Sequence, residues 1–475
     1  MVFSSPIFLF IFLPAAFVIY RLLPGLKIRN CFLAIISIVF YSFGQLEYVP
    51  LFLISILLNY FSGLILIRAE HGRKLILVFS VAANLLILAW FKYTDFLVSN
   101  INVAFSCAIP QPGIILPIGI SFFTFQGMSY VIDTYRDQTA GTDSFIKVLL
   151  YISFFPQLIA GPIVKYHDIA EQIDSRTVSP ELSAQGIGRF IVGLSKKVLI
   201  ANVVGSAADN VFNNLLPTTQ FDFASAWVGA FCYSLQIYFD FSGYSDMAIG
   251  IGKMFGFSFL ENFNFPYGSR SIREFWRKWH ISLSNWFREY LYIPLGGNRK
   301  GTVRTYFNRM FVFLCTGIWH GANWTFLVWG LCHGILSNLE QSGIIPVDRL
   351  QKTALGRIVC RLYTIIAVVC LFVVFRADSM ADAVKMISTM FSFGSLKDSA
   401  ELISLLSADF IFIFVVATVL SGNLPAKVKS FSGKLAAEHE VAFSVINLIF
   451  LIILLLLCMM SLARGGFNPF IYFQF

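Results

Sequence analysis

Long apolar runs separated by short polar segments recur along the whole chain of 475 residues. The charge-poor runs are Phe3–Tyr20, Cys31–Gln45, Tyr48–Ile67, Leu75–Phe91, Ile114–Ile132, Val148–Val164, Ala224–Phe239, Met310–Leu339, Leu362–Phe375, Phe410–Ala426 and Val441–Ala463. A helix of about 20 apolar residues crosses a bilayer core of about 30 Å, so such runs predict helices that span or re-enter a membrane. Among these runs, Gly186–Ser206 and the two parts of Met310–Leu339, we predict roughly ten to twelve membrane segments.

Composition agrees with this pattern, because 57% of the residues are hydrophobic and only 13% are charged. Soluble domains carry a charged fraction of about 25%. We therefore predict an all-α polytopic membrane protein in which residues 1–475 form a single membrane-embedded domain. The first run begins at Phe3 without a basic segment before it and without a small-residue cleavage pattern, so we expect it to be retained.

The net charge of +9 is concentrated between particular apolar runs, and the densest basic block extends from Arg270 to Arg309. Lys and Arg accumulate in the cytoplasmic loops of membrane proteins, so this block is predicted to face the cytoplasm. Met1–Pro6 carries no charged side chain, and we expect the N-terminus to lie outside. The basic clusters do not alternate with aromatic residues as a nucleic-acid-binding surface does.

The segment Trp319–Trp324 places a titratable imidazole inside Met310–Leu339, a run without Lys, Arg, Asp or Glu. At a rise of about 1.5 Å per residue, that run is too long for one straight helix across a core of about 30 Å. Gly321 and Asn323 are poor helix-interior residues, so we expect a break there. Irregular backbone at membrane depth lines cavities or is buried in protein, which makes His320 a functional-site hypothesis. A packing histidine that bonds a carbonyl is the alternative.

A second pattern, over Ser271–Tyr292, has the spacing of one helix face. The apolar positions are Trp276, Trp279, His280, Leu283, Phe287, Tyr290 and Leu291, and the polar side carries Arg273, Arg277, Ser284 and Arg288. The pattern predicts an amphipathic helix at the cytoplasmic interface, within a segment of about residues 270–305. Ser271 with Glu274 has the spacing of a capping box, and Glu274 with Lys278 that of a favourable ion pair. For His280 the alternative to a functional role is an interfacial histidine that reaches toward water.

Several classes of site are excluded. The eight cysteines form no C-x-x-C pair, and the six histidines form no H-E-x-x-H, so we expect no metal site and no disulfide framework. The run Gly243–Met247 departs from G-x-S-x-G at its last position, which excludes a serine-hydrolase elbow. Asp240 and Asp246 are as readily explained by ion pairs with a nearby Arg as by catalysis.

An ordered set of motifs resembles the membrane-bound O-acyltransferase family, and within it the branch of the bacterial alginate O-acetyltransferase membrane subunit. The motifs are Met1–Ser5, Phe155–Pro162, Tyr238–Asp246, Phe275–Ser284, Leu295–Arg299, Trp319–Trp324 and Phe375–Ala377. The resemblance implies a ring of membrane helices around a central tunnel that joins a cytoplasmic funnel to an outer one. It also implies that an acyl thioester enters from the cytoplasm and that its acyl group is passed to a hydroxyl outside.

The family's near-invariant histidine corresponds to His320 and its second histidine to His280. A neutral imidazole can accept the hydroxyl proton, and its usual pKa of about 6.5 suits that role. Asn323, the indoles of Trp319 and Trp324, and backbone N–H groups freed at the break are candidate donors to the oxyanion. His280 can bind the donor, serve as a second oxyanion donor, or be structural.

The expected donor is acetyl-CoA, with no bound cofactor. Its phosphates require cations, and the candidates are Arg299, Lys300 and Arg304. Trp276 and Trp279 are further candidates for lining the tunnel. His333 would face away from His320 on an unbroken helix and is interpreted as packing.

The resemblance predicts acetylation of an exported polysaccharide, or of a periplasmic or extracellular partner that acetylates it, by a multi-pass protein of a bacterial inner membrane. Peptidoglycan O-acetylation and D-alanyl transfer to teichoic acid are the alternatives within the family. Two other functions remain open, a proton-coupled transporter with His320 as the relay and a scaffold subunit.

Overall fold

The computed structural model describes residues 1–217, 221–392, 407–425 and 439–465, together with Val428 and Ile471. Every regular element in these ranges is helical, which confirms the all-α prediction. Five of the described helices are long and apolar enough to cross a membrane: Leu46–Arg68, Arg73–Phe105, Pro180–Leu215, Ala354–Arg376 and Glu440–Ala463. Phe8–Leu22 and Ala408–Ser421 are shorter apolar helices. The chain is a multi-pass membrane protein, and the count of ten to twelve segments stays a prediction.

The chain divides into two compact units. The first comprises Met1–Phe190 and Tyr244–Glu261. Its α-helices are Leu13–Leu22, Leu26–Ser42, Val49–Arg68, Arg73–Phe105, Ile120–Arg136, Phe145–Ser153, Phe155–Leu158 and Tyr166–Asp174, and a π-helical turn, Phe8–Phe12, precedes them. The helices Pro180–Ser195 and Phe223–Met254 contribute residues to both units.

Polar side-chain pairs connect the helices of the first unit. The side-chain amides of Asn59 and Asn84 exchange two hydrogen bonds of 3.1 and 2.9 Å. Arg189 binds Asp246 at 2.6 Å and also reaches Glu261. Interhelical hydrogen bonds of this kind add to van der Waals packing where the lipid supplies no hydrophobic driving force between helices. Asp246 is thus part of an ion pair with an arginine, as the sequence interpretation allowed.

The second unit comprises Ile191–Gly243 and Asn262–Phe475. Its α-helices are Asn202–Asp209, Ile272–Trp276, Ile281–Phe287, Thr302–His320, Trp324–Ser342, Val347–Leu350, Ala354–Arg376, Met380–Met390, Ala408–Ser421 and Glu440–Ala463, with π-helical turns at Lys196–Ala201, Asn210–Leu215 and Arg288–Tyr292. Ala426, the predicted end of one apolar run, lies outside the described residues.

The centre of the second unit is a helical hairpin made of Thr302–His320 and Trp324–Ser342. Glycines let its two helices approach closely, because a Cβ at Gly317 would collide with the carbonyl oxygen of Phe326. A Cβ at Gly330 would likewise collide with the carbonyl oxygen of Phe313. Small residues at a helix interface serve this purpose in membranes. The predicted break is confirmed, and the chain folds back at that point.

The prediction of one continuous helix over Ser271–Tyr292 is wrong. The structure has a short helix, Ile272–Trp276, then a turn, and then a helix that starts at Ile281. The intervening His280 has φ of +43°, in the left-handed region, which ends the regular helix. The predicted inward side chains are nevertheless buried, with the exception of Leu291, which is partly exposed.

A carboxylate from the hairpin fixes the start of the short helix. Glu340, which is 1% exposed, accepts hydrogen bonds from the backbone N–H groups of Ile272 at 2.6 Å and Arg273 at 3.1 Å. Negative charge at a helix N-terminus satisfies N–H groups that have no partner within the helix. Two further predictions are confirmed. The hydroxyl of Ser271 caps the helix by accepting a hydrogen bond from the N–H of Glu274 at 2.9 Å. Glu274 forms an ion pair with Lys278 at 2.8 Å.

Candidate active site

His320 is the last residue of the first hairpin helix and is 3% exposed. The chain then becomes extended at Gly321, and Asn323 caps the second helix by accepting a hydrogen bond from the N–H of Thr325 at 3.2 Å. A Cβ at position 321 would collide with the ring of Phe326, so only glycine fits this crossing. The break that the composition predicted therefore holds the imidazole inside the protein.

Aromatic rings surround the imidazole of His320. The ring centroids of Trp319, Trp329 and Phe375 lie 5.0, 5.1 and 5.2 Å from it. Trp329 carries a buried indole N–H that makes no hydrogen bond within the described residues. A buried N–H without a partner is costly, which is why such groups are rare away from binding sites.

His280 is completely buried and its orientation is fixed by Asn262. The Oδ1 of Asn262 accepts hydrogen bonds from the N–H and the hydroxyl of Ser282 at 3.3 and 2.9 Å. The Nδ1 of His280, 3.1 Å away, must therefore donate its proton to the same oxygen. The tautomer that results has a lone pair on Nε2, and that atom has no hydrogen-bond partner among the described residues.

Burial lowers the pKa of His280 to about 3, so the ring is neutral at physiological pH. With its single proton held on Nδ1, Nε2 cannot donate a hydrogen bond. The interpretation of His280 as a second oxyanion donor is excluded by this arrangement. The alternative of an interfacial histidine that reaches toward water is wrong as well, because the side chain is 0% exposed.

The indole of Trp319 connects the two histidines. Its ring lies 6.1 Å from the ring of His280 and 5.0 Å from the ring of His320. Trp319 is itself 6% exposed. Two histidines 40 positions apart in the sequence therefore pack against the same side chain.

His333 also belongs to this cluster of rings. Its Nδ1 accepts a hydrogen bond from the indole N–H of Trp276 at 3.2 Å, and its ring lies 5.0 Å from that of Trp329. The premise that an unbroken helix separates it from His320 is wrong, because the helix breaks between them. Its packing role agrees with its complete burial.

The other predicted aromatic and polar residues occupy different environments. Trp279 stacks on Phe275 at 5.4 Å in the buried core. Trp324 is 53% exposed. The side-chain N–H of Asn323 is committed to the carbonyl oxygen of Asp378 at 3.0 Å. Of the predicted oxyanion donors, Trp319 is the one that packs against both histidines.

The predicted phosphate ligands Arg299, Lys300 and Arg304 are all exposed. They follow a turn in which Gly296 and Gly297 have φ of +104° and +55°, as the Gly-Gly-Asn sequence predicted. Other cations of the basic block are engaged in ion pairs, such as Arg273 with Asp348 at 2.9 Å. The exposed basic residues precede or begin the first hairpin helix, whose 19 residues rise roughly 27 Å to His320.

Asp240 forms an ion pair with Lys197 at 2.6 Å, with both side chains 2% exposed. Asp240 is therefore in an ion pair, as the sequence interpretation allowed, but its partner is a lysine and not an arginine. Among the described residues there is no group of three or more His, Cys, Asp and Glu side chains able to hold a metal ion.

Sequence reasoning missed a polar cavity of about 340 Å³ at the end of the hairpin where the chain turns. Its polar lining includes Asp209, Asn213, Tyr233, Gln236, Thr325 and Arg376. Phe375 lines the cavity and also packs against His320. The motif Phe375–Ala377 was the sequence signal for this site, but its partners come from remote parts of the chain.

Comparisons with known proteins identify relatives of this chain. The profile of the membrane-bound O-acyltransferase family matches residues 35–374. The chain is 39% identical to a probable alginate O-acetylase of Azotobacter vinelandii over the full length of both proteins. It is 43% identical to the same type of protein from Pseudomonas aeruginosa, over 83% of this chain and 76% of the relative. It is 37% identical to a peptidoglycan O-acetyltransferase of Helicobacter pylori, over 82% and 80% of the two chains.

Proposed function

Because this chain belongs to the membrane-bound O-acyltransferase family and is an acyltransferase, we propose that it transfers acetyl groups from cytoplasmic acetyl-CoA to a hydroxyl outside a bacterial inner membrane. The observation that carries the proposal is the contact of one indole, Trp319, with both His280 and His320. The enzyme assignment sets aside the transporter and scaffold alternatives.

His320 is the general base in this proposal. Its imidazole accepts the proton of the acceptor hydroxyl while the hydroxyl oxygen attacks the thioester carbon, so that a C–O bond forms and the C–S bond breaks. The imidazolium then returns the proton to the departing CoA sulfur. General-base assistance contributes roughly two to four orders of magnitude in rate.

The oxyanion of the tetrahedral intermediate requires hydrogen-bond donors that are already in place. The indole N–H of Trp329 fits this role, because it is buried, has no partner among the described residues and belongs to a ring in contact with His320. Trp319 remains the second choice, since its ring contacts both histidines.

His280 acts on the donor side of the indole. Its Nε2 lone pair can accept a hydrogen bond from an amide N–H, and the pantetheine arm of acetyl-CoA carries two such groups. The exposed cations Arg299, Lys300 and Arg304 bind the phosphates at the far end of the hairpin. The arm then extends along the hairpin in a tunnel toward the histidines.

The acceptor belongs to one of two classes. The full-length similarity to a probable alginate O-acetylase favours an exported polysaccharide, acetylated directly or through a periplasmic or extracellular partner protein. The similarity to a peptidoglycan O-acetyltransferase favours peptidoglycan as the second candidate. Ester acetate measured separately in secreted polysaccharide and in purified peptidoglycan distinguishes the two.

Membrane vesicles of both orientations test the proposal. Acetyl-CoA labelled in the acetyl group is added outside inside-out and right-side-out vesicles from cells that produce the protein. Labelled ester is expected only with inside-out vesicles, in which the cytoplasmic face is accessible. Labelling by right-side-out vesicles would contradict cytoplasmic entry of the donor, and no CoA release in either preparation would contradict acetyl-CoA as the donor.

A further inference from the structure

A second cavity of the second unit, of about 210 Å³, lies between the helices Ala354–Arg376 and Ala408–Ser421. We propose that it binds one anionic phospholipid of the cytoplasmic leaflet, with the lipid phosphate on Arg361 and an acyl chain along its apolar walls. The inference goes beyond the transfer reaction, because this lipid is bound and not acetylated. The cavity is called the Arg361 groove below, and its lining includes Phe231, Leu235, Arg361, Ile365, Val369 and Thr418.

The groove contains a cation that is not neutralised. Arg361 is the one charged side chain among the described lining residues, and its guanidinium makes no hydrogen bond or ion pair within the part of the chain that the structure describes. Two other arginines of the same unit differ in this respect, since Arg273 and Arg376 bind carboxylates at 2.9 and 3.0 Å. A guanidinium can hold a phosphate through two parallel hydrogen bonds. Arg361 is therefore available to an anionic headgroup.

The lining changes from charged to apolar along one face of a helix. Ile365 and Val369 follow Arg361 at intervals of one turn, so the three side chains share a face. Arg361 is exposed, Ile365 is half-buried and Val369 is buried. The helix rises roughly 12 Å over these residues. A phospholipid has the same order of groups, with a charged phosphate at the surface and hydrocarbon below it.

The walls of the groove suit an acyl chain rather than a polar ligand. Across from Arg361, the hydroxyls of Thr418 and Ser421 donate hydrogen bonds to carbonyl oxygens of their own helix, those of Phe414 at 2.8 Å and Thr418 at 2.9 Å. Their donor groups are therefore already used. Phe231 and Leu235 add apolar surface to the lining. Beyond the guanidinium, a bound molecule meets mainly hydrocarbon.

The helices on both sides of the groove present apolar side chains to the outside. Leu362 and Ile366 of Ala354–Arg376 are exposed, as are Val415 and Val419 of Ala408–Ser421. In a multi-pass membrane protein, large apolar side chains that are exposed on a membrane helix face the lipid chains. The groove is therefore next to the bilayer, and a lipid can enter it without leaving the membrane.

The position of Arg361 along its helix fits the level of the headgroups. Arg361 lies 15 residues before Arg376, which corresponds to a rise of roughly 22 Å from the end of the helix that carries Phe375. It is thus near the other end, which the predicted topology places on the cytoplasmic side. Long arginine side chains near helix ends extend toward the headgroups. Basic pockets between membrane helices on that side bind anionic lipid headgroups.

The test measures the melting temperature of the purified full chain in a neutral detergent while lipid is added. Phosphatidylglycerol should raise the melting temperature to a plateau, because a ligand that binds the folded state alone stabilises it. Phosphatidylcholine with the same acyl chains has no net charge and should give a much smaller rise. Glycerol 3-phosphate carries the phosphate without the chains and should have no effect at the same concentration.

Two variants test the two parts of the lipid separately. Arg361→Gln should weaken the apparent affinity for phosphatidylglycerol about tenfold, the loss expected for a hydrogen bond to a charged group. Its control is Arg349→Gln, which removes an exposed arginine outside the groove and should change the affinity less than twofold. Ile365→Trp should fill the groove and abolish the lipid effect. Its control is Ile366→Trp, at the neighbouring exposed position, which should keep the wild-type affinity.

Several results would overturn the proposal. They are an equal rise with phosphatidylcholine, no rise with either lipid, or an equal rise with glycerol 3-phosphate, which would identify a site for free phosphate. An unchanged affinity in Arg361→Gln and Ile365→Trp would do so as well. An equal loss in Arg349→Gln would show that net charge, and not the groove, attracts the lipid. Because no acetyl transfer is measured, each of these results leaves the proposed function intact.

Discussion

The Nδ1 of His280 donates its proton to Oδ1 of Asn262 across 3.1 Å. The N–H of Ser282 also donates to this atom, which is therefore the amide oxygen of Asn262 and carries no proton to donate. This hydrogen bond therefore fixes the tautomer of His280, in which Nε2 carries a lone pair and can only accept a hydrogen bond. In the proposed mechanism, His280 accepts a hydrogen bond from the acyl donor, and His320 accepts the proton of the acceptor hydroxyl.

Asn262 is accordingly a positioning residue. Asn262→Leu removes the acceptor that fixes the His280 tautomer, and we expect the KM for acetyl-CoA to rise about 5- to 10-fold, as the loss of one hydrogen bond implies. Asn262→Asp keeps an acceptor oxygen and should restore most of the donor affinity. Steady-state kinetics with varied acetyl-CoA checks this. A fall in kcat at unchanged KM in both variants would show that Asn262 serves only the fold.

Stability should depend on pH through His280. Its pKa is near 3 when buried and about 6.5 when unfolded, so the unfolded chain binds the extra proton between these values. The free energy of unfolding is therefore not reduced by this group above about pH 6.5, and it decreases as the pH falls toward 3. At pH 5 the loss is about 2 kcal/mol.

The comparison variant is His280→Asn, because asparagine tolerates the left-handed backbone at this position. The drop in melting temperature between pH 7 and pH 5 should be larger for the wild type than for this variant, measured in one detergent. Equal drops would mean that other groups carry the acid sensitivity.

Binding of the acetyl-CoA phosphates should depend on the exposed cations. The double variant Arg299→Ala with Lys300→Ala should raise the KM for acetyl-CoA and leave kcat within a few-fold, the pattern of lost ground-state binding. Added salt should have the same effect, since exposed charges are screened over about 10 Å at 0.1 M. Arg349→Ala with Lys352→Ala is the control, because it removes the same charge from exposed positions elsewhere. An equal effect of the control pair would point to net charge alone.

The two ends of the hairpin should face opposite sides of the membrane. In a background with the exposed Cys107 replaced by serine, a cysteine at Asn298 should react with an impermeant thiol reagent only after the inner membrane is opened. A cysteine at Asp378, which is exposed beside the cavity, should react in intact spheroplasts. The reverse pattern would invert the topology and, with it, the entrance of the donor.

The sequence predicted the hairpin turn well, because Gly321 and Asn323 are local signals for a break and a cap. It predicted the inward residues of Ser271–Tyr292 but not their backbone. A turn at His280 preserves the burial of Trp276 and Trp279, so burial periodicity cannot reveal it. The carboxylate of Glu340, 68 residues from Ile272, fixes the short helix instead.

Long-range partners were also beyond the sequence pattern. Asn262 lies 18 residues from His280 and outside the motifs that resemble the family, and no periodicity links the two residues. The cavity joins Asp209 to Arg376 across 167 residues. Such contacts depend on how helices pack, whereas breaks, caps and ion pairs within one turn are encoded by neighbouring residues.

The central claim is that acetyl transfer takes place at the indole-linked histidines, with His320 as the base. The most direct measurement is kcat for acetyl transfer by purified His320→Ala, with His71→Ala at an exposed position as control and with monodispersity and melting temperature recorded for both. We predict a loss of at least about 100-fold for His320→Ala, at wild-type monodispersity, and normal rates for the control. A well-folded His320→Ala protein that transfers acetyl groups at the wild-type rate would contradict the account.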